Sequence, residues 1–313
     1  MGLEPVEMGD AGRWSKVPDP VVETITVMGH RIVTYSYGEG EEVLLLLNGG
    51  PGLPCEYMRV PHAPLAGRGY RVVSFDQLGT GASDRPRDRG LWTIERYARE
   101  VEAVREAMNL GRVHLAGHSW GGWLAIEYAA RYGENLKSLI LQNTCADIPH
   151  LVSELGRLRD ALGPETGAMM LAHEAAGDFE HPAYKGAITV LNYRHVCRLD
   201  HWPEPFTRSI GDSNREIYNI MQGPNEFLYT GNLRDWSRLD DLAEVKVPVL
   251  ILVGAHDEIT PGCALHMRKA LSSAEVAVFP NSAHVPFYEE PDAFLARLTG
   301  FLDGVTGRAE RAA

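Results

Sequence analysis

The segment RVHLAGHSWGGWLAIEYA constrains this chain more than any other stretch. An apolar run of strand character enters Gly117-His118-Ser119-Trp120-Gly121, and a pattern of helical period leaves it. A serine between glycines at a strand-to-helix junction occupies a tight, strained turn that points its hydroxyl out of the sheet. Such a turn needs a parallel sheet behind it and a packed helix after it.

The rest of the sequence supplies both. EEVLLLL, YRVVSFD, RVHLAG and LKSLILQN end in loops and lack strict alternation, as expected of strands buried on both faces. Helical periodicity lies between them, in WTIERYAREVEAVREAMNL and GWLAIEYAARY. Alternating apolar positions around Met28-Gly29 predict a hairpin in front. VPVLILVG and AEVAVFP resume the strand pattern late in the chain, and DAFLARLTGFLDGV predicts a closing helix. The expected class is α/β, a mostly parallel central sheet flanked by helices. Between residues 146 and 235 the strand pattern stops, and helix formers and aromatics take over. The predicted organisation is a core formed by residues 1–145 and 236–313, with an inserted helical cap at 146–235. Residues 1–19 read as a polar arm, and a polar tail follows the last helix.

A serine hydroxyl is a weak nucleophile and needs a base, which in turn needs an orienting acid. Behind such an elbow the chain order is serine, acid, histidine. Asp257 follows the late strand in VPVLILVGAHDEITP, and His284 follows the last strand in AEVAVFPNSAHVPFYEEP. Ser119, Asp257 and His284 are therefore the predicted catalytic residues. The first strand before a glycine-rich loop runs into Asn48-Gly49-Gly50-Pro51-Gly52. A backbone so free of side chains can approach a ligand closely. Gly50 N–H and Trp120 N–H, the latter at a helix start, are the predicted oxyanion donors. No Lys-Ser/Thr pair closes the loop, so a phosphate cradle is excluded. His195 and His201 belong to no HExxH or other metal-ligand pattern and read as surface or cap histidines; no metal or organic cofactor is expected.

With 30 Lys and Arg against 42 Asp and Glu, the formal charge is −12, which disfavours nucleic acid and anionic membranes as partners. The cysteines, Cys55, Cys145, Cys197 and Cys263, form no CxxC pair, so neither a disulfide framework nor a zinc site is expected. The first residues carry acidic groups and no apolar signal-peptide core, and no apolar run is long enough to span a bilayer. These features predict a cytoplasmic location.

From about residue 20 to 303 the chain resembles the prolyl aminopeptidase (proline iminopeptidase) branch of the α/β-hydrolase fold, including the tricorn-interacting aminopeptidase type. NGGPG is similar to that family's HGGPG loop, DQLGTGASD to its DQ-x-G-x-G-x-S segment, and GHSWGG to its G-x-S-[WY]-GG elbow. GPNEF resembles the cap segment whose glutamate binds the substrate's free α-amino group, which implies that role for Glu226. HDEITP resembles the segment in which the residue after the catalytic aspartate is a second amine-binding glutamate, which implies that role for Glu258. On residue type alone both glutamates read as solvated charges. Asn48 stands where the family has histidine, and LPCEYM departs from the family's continuation, which would bring Cys55 near the pocket.

The resemblance implies a serine aminopeptidase or amidase. It would release an N-terminal residue, proline or another apolar one, from short peptides or amino-acid amides through an aminoacyl-enzyme. The residues by themselves also admit an esterase, an amidase or an aminoacyl transferase on a small molecule, and a non-catalytic hydrolase-fold binding protein. Oligomeric state is not encoded in any of these patterns.

Overall fold

A computed structural model describes Trp14 and residues 16–308. β1 (Val21–Val27) and β2 (His30–Tyr37) form the predicted antiparallel hairpin, closed by Met28 and Gly29 at φ 51° and 81°. Both central residues of a two-residue turn are thus left-handed, the geometry that matches the twist of the paired strands. β3 (Glu42–Leu47) follows, then α1 (Glu56–His62), β4 (Tyr70–Phe75), α2 (Ile94–Ala107), β5 (Val113–His118), α3 (Trp120–Tyr132) and β6 (Leu136–Gln142). Five helices come next: α4 (Ile148–Asp160), α5 (Pro164–Ala176), α6 (Pro182–His195), α7 (Glu204–Gly211) and α8 (Arg215–Met221). β7 (Val249–Gly254), α9 (Pro261–Ala270), β8 (Glu275–Phe279), α10 (Pro286–Glu289) and α11 (Pro291–Thr306) complete the order.

The sheet order is β1-β2-β4-β3-β5-β6-β7-β8; β2 runs antiparallel to β4, and every pair from β4–β3 to β7–β8 is parallel. The central strands are buried along their length: Leu44 to Leu47 on β3, Val113, Leu115 and Ala116 on β5 and Val249 to Val253 on β7 belong to one core. Each buried leucine contributes about 1.5–3 kcal/mol by leaving water. Helix starts are set by side chains. Thr93 accepts from Arg96 N–H at the start of α2, and Asn214 accepts from Glu216 and Ile217 N–H at the start of α8.

The ends of the five-helix segment meet. Ile148 N–H donates to Trp236 O at 3.0 Å, Arg238 N–H donates to Ala146 O at 2.8 Å, and Asp147 and Ser237 form an isolated bridge. The five-helix segment therefore leaves the sheet and returns to it at one point. It lies after β6, at the carboxyl edge of the parallel strands, where open α/β sheets place their ligands. The four cysteines are buried and free. Among the described residues no helix is long and apolar enough to cross a membrane.

Candidate active site

Ser119 separates the last residue of β5 from the first of α3, and its backbone is left-handed, φ 56° and ψ −124°. A non-glycine residue keeps such a strained conformation only where its surroundings dictate it. Here Ser119 N–H donates to Gln142 O at 3.0 Å, and its carbonyl accepts from Gly122 N–H and Thr144 Oγ1, both at 2.8 Å. A Cβ on Gly121 would collide with the Leu47 carbonyl, and one on Gly117 with the Gly121 carbonyl. The glycines around the serine are thus required by the closeness of β3, β5 and α3.

Asp257 and His284 lie past the ends of β7 and β8. His284 Nδ1–H donates to Asp257 Oδ1 at 2.7 Å, which leaves Nε2 as the basic nitrogen. The same Oδ1 accepts from Ile259 N–H at 2.9 Å. Burial opposes a charge on His284, but the Asp257 carboxylate and its hydrogen bond outweigh it, so the imidazole pKa is raised above 6.5. Oδ2 of Asp257 accepts from Asn143 Nδ2 at 2.6 Å. Asn143 escapes a sequence reading because its partner lies 114 positions away. Its one local signal is an asparagine directly after β6, where it adopts φ 50°.

The loop after β3 is held from several sides. Asn48 is buried and its Nδ2 donates to Leu53 O at 2.8 Å and Gly49 O at 3.1 Å, so it braces the loop in the position of the family's histidine. Gln77 Nε2 donates to Asn48 O at 3.2 Å, and Gln77 Oε1 accepts from Trp120 Nε1 at 2.9 Å. Gly52 O accepts from Asn214 N–H at 2.8 Å, which fastens the loop to the start of α8. Trp120 is the first residue of α3, so its N–H has no acceptor within the helix. Cys55 does not approach this site. Its N–H donates to Asp76 Oδ1 at 3.0 Å, and it lines a separate cavity with Tyr35, Arg59 and Asp76, because the Asp76 carboxylate draws that backbone away from Ser119.

A cavity of about 230 Å³ opens onto Ser119 and His284. Gly50 and Glu226 are on its wall, with Leu53, Ile188, Val196, Trp202 and Phe206 giving it an apolar side. Trp202 is therefore a wall residue, while Trp120 and Phe227 are packed in the core. Glu226 is fixed by Gln222 Nε2 at 2.8 Å, which also donates to Tyr218 Oη at 2.8 Å. Glu258 is not among the residues lining the cavity. It is buried, its Oε1 lies 3.6 Å from His284 Nε2, and its Oε2 has no hydrogen-bond partner among the described residues. Burial first, then the carboxylates of Glu226 and Asp257, push its pKa well above the ordinary glutamate value. Neither glutamate is the solvated charge that residue type suggests. His195 Nδ1 meets His256 O at 2.8 Å, and His201 is exposed. Among the described residues no three His, Cys, Asp or Glu side chains group so as to hold a metal ion.

Residues 42–291 match the family model of the α/β hydrolase fold. The proline iminopeptidase of Saccharolobus solfataricus is 36% identical over 266 residues, covering 84% of this chain and 85% of that protein. Among solved structures, VinJ superposes with a TM-score of 0.87 at 32% identity, covering 92% of this chain and 100% of the other. The proline iminopeptidase of Mycobacterium smegmatis gives 0.85 at 34%, covering 92% and 99%. Likeness at this identity covers most of the chain, which belongs to the α/β hydrolase fold family, in the branch that holds the proline iminopeptidases.

Proposed function

We propose that this protein is a serine aminopeptidase that removes an N-terminal residue, proline first among them, from a short peptide or amino-acid amide. The observation that carries this reading is the presence of a carboxylate, Glu226, on the wall of the cavity that also holds Ser119 and His284. An ammonium docked on Glu226, with the carboxyl of Glu258 as a second, deeper partner reached once substrate enters, is a buried charge that is paired rather than costly. It also fixes the distance from the amine to the attacked carbonyl, so that only the first residue is cut. The similarity to proline iminopeptidases favours proline at that position. The five helices between β6 and β7 act as the cap over this cavity.

In the mechanism, His284 Nε2 takes the proton of Ser119 as its oxygen attacks the carbonyl carbon. Asp257 holds the imidazole in the required tautomer and stabilises the imidazolium. Gly50 and Trp120 N–H groups receive the oxyanion, each worth about 10²–10³ in rate. His284 then gives its proton to the leaving amine, and water hydrolyses the aminoacyl-enzyme by the same steps.

The test is release of 4-nitroaniline from prolyl and other aminoacyl-4-nitroanilides and from their N-acetylated twins. Cleavage of the free-amine forms alone, abolished by Ser119→Ala, is the expected result. Glu226→Gln is expected to weaken amino substrates and to spare a simple acetate ester. Equal cleavage of the acetylated twins would overturn the amine anchor.

A further inference from the structure

Three parts of the active site are joined by one line of hydrogen bonds behind Ser119. Gly49 N–H donates to Tyr57 Oη at 2.5 Å. That hydroxyl lies 2.8 Å from His118 Nδ1, and His118 Nε2 lies 2.8 Å from the carbonyl oxygen of His284. Gly49 belongs to the loop after β3, His118 directly precedes Ser119, and His284 carries the base. Tyr57 comes from α1 and is wholly buried, as is the His118 ring.

The direction of each bond follows by elimination. A carbonyl only accepts, so His118 Nε2 carries the proton. Burial first, then the nearby His284, push the His118 pKa well below its ordinary value, so the ring is neutral and Nδ1 is an acceptor. Tyr57 donates its O–H to Nδ1, and burial keeps that phenol protonated. The phenol oxygen then accepts from Gly49. A Cβ on Gly49 would meet this oxygen at 2.6 Å, so the approach is open to glycine alone.

The relay is also clamped from outside. Tyr57 N–H donates to Ser209 Oγ of α7 at 3.1 Å, and Tyr57 O accepts from Tyr288 Oη at 2.7 Å. Phe287 stands edge-on to His118, with ring centroids 5.1 Å apart at 77°. Neither Tyr57 nor His118 has a role in the reaction steps above.

We propose that Tyr57 and His118 are positioning residues whose relay sets the oxyanion loop against the loop of His284. Fixing the Gly49 N–H fixes the presentation of the next peptide, which bears the Gly50 N–H. The oxyanion donor and the base are then registered to each other, and not only to the sheet. The inference rests on the reading of Ser119 as nucleophile.

The experiment uses Tyr57→Phe, His118→Gln and the double variant in the full chain. Displacing a donor without deleting it costs part of its effect, and a misplacement of about 1 Å costs up to about 10²-fold. We expect Tyr57→Phe to lower kcat by about 10- to 100-fold with KM within about twofold. The Ki of an amino-acid aldehyde, which forms the tetrahedral adduct, is expected to rise by the same factor, while that of the product amino acid stays put. The double variant is expected to lose no more than the worse single one, because both cut one relay. Unchanged kcat and aldehyde Ki, a loss confined to KM, or losses that multiply would overturn the proposal. Should Tyr57→Phe not fold, His118→Gln carries the same comparison. Amide exchange at Gly49 and the ring ¹⁵N shifts of His118 decide the relay without turnover. Slow exchange that Tyr57→Phe releases, with Nε2 protonated and Nδ1 bare, is expected. Fast exchange in wild type or a protonated Nδ1 would refute it. A wild type that neither turns over nor reacts with a fluorophosphonate sinks the serine reading instead, while the exchange result still judges the relay.

Discussion

Asn143 Nδ2 donates to Asp257 Oδ2 at 2.6 Å and to the carbonyl oxygen of Ala283 at 3.2 Å. One amide thus holds both Asp257 and the loop of His284. Asp257 Oδ1 is occupied by His284 and Ile259, so without Asn143 the buried Oδ2 has no donor. A hydrogen bond to a charged group contributes about 1.5–3 kcal/mol. Asn143→Ala is therefore expected to lower kcat/KM by about 10- to 100-fold, with a loss of thermal stability of the same origin. Steady-state kinetics beside a melting curve checks this, and unchanged kcat/KM would mean that Ile259 alone holds Asp257.

In the proposed mechanism His284 must be neutral to accept the proton of Ser119. Because Asp257 raises the His284 pKa above 6.5 against the effect of burial, activity is lost on the acid side at a pH above that of a free imidazole. With an amine-free ester, whose own charge does not change, kcat/KM is expected to rise with pH and level off only above 6.5. Asp257→Asn should move the midpoint down while reducing the plateau. A wild-type midpoint below 6.5 would contradict the assigned Asp257–His284 geometry.

Glu258 is a cost to the folded state. Its pKa is raised on folding, so its contribution is neutral below the unfolded value of about 4.3 and becomes destabilising as pH rises towards the folded value. Glu258→Gln removes the charge and keeps the shape. The variant is expected to melt a few degrees above wild type at pH 8 and at the same temperature at pH 4, with poorer turnover of amino substrates. Differential scanning at the two pH values tests it; a variant less stable at pH 8 would show that the carboxylate has a favourable partner.

The parts of this molecule that sequence makes legible are those whose cause is local. Runs such as VLLLL and VLILVG are central strands because every side chain leaves water, and the glycines of GHSWGG report the crossing of strand and helix. Ser119, Asp257 and His284 each sit where a parallel strand ends, so chain order alone locates them. What stays hidden is made through space. Asn143 against Asp257, and Tyr57 against His118, are pairs 114 and 61 positions apart, and no local pattern tells either member its partner. Glu226 and Glu258 stand out only through family resemblance, since glutamate is usually solvated and only the folded chain buries Glu258 beside His284. Cys55 shows the opposite error, where closeness in sequence to the glycine loop suggested a pocket residue and a hydrogen bond to Asp76 turned it elsewhere.

The point where the chain returns from the five helices to the sheet depends on a buried carboxylate. The Glu127 side chain on α3 is fully buried and accepts from Arg238 Nε at 2.8 Å, Arg238 Nη2 at 2.9 Å, Arg131 Nη2 at 2.6 Å and Trp236 Nε1 at 3.2 Å. Burial alone would raise its pKa, but these donors reverse the sign and lower it. A lowered pKa contributes stability above the unfolded value of about 4.3 that is lost as pH falls through the folded value. Arg238→Ala leaves Glu127 with fewer donors exactly where the chain returns from the five helices, at a cost of about 1.5–3 kcal/mol near neutrality. Melting curves of wild type and variant should therefore differ by several degrees at pH 7 and converge in acid, as pH falls through the lowered folded value and Glu127 becomes protonated in folded and unfolded chains alike. A difference that persists undiminished in acid would assign the role of Arg238 to the packing of its alkyl chain rather than to its charge.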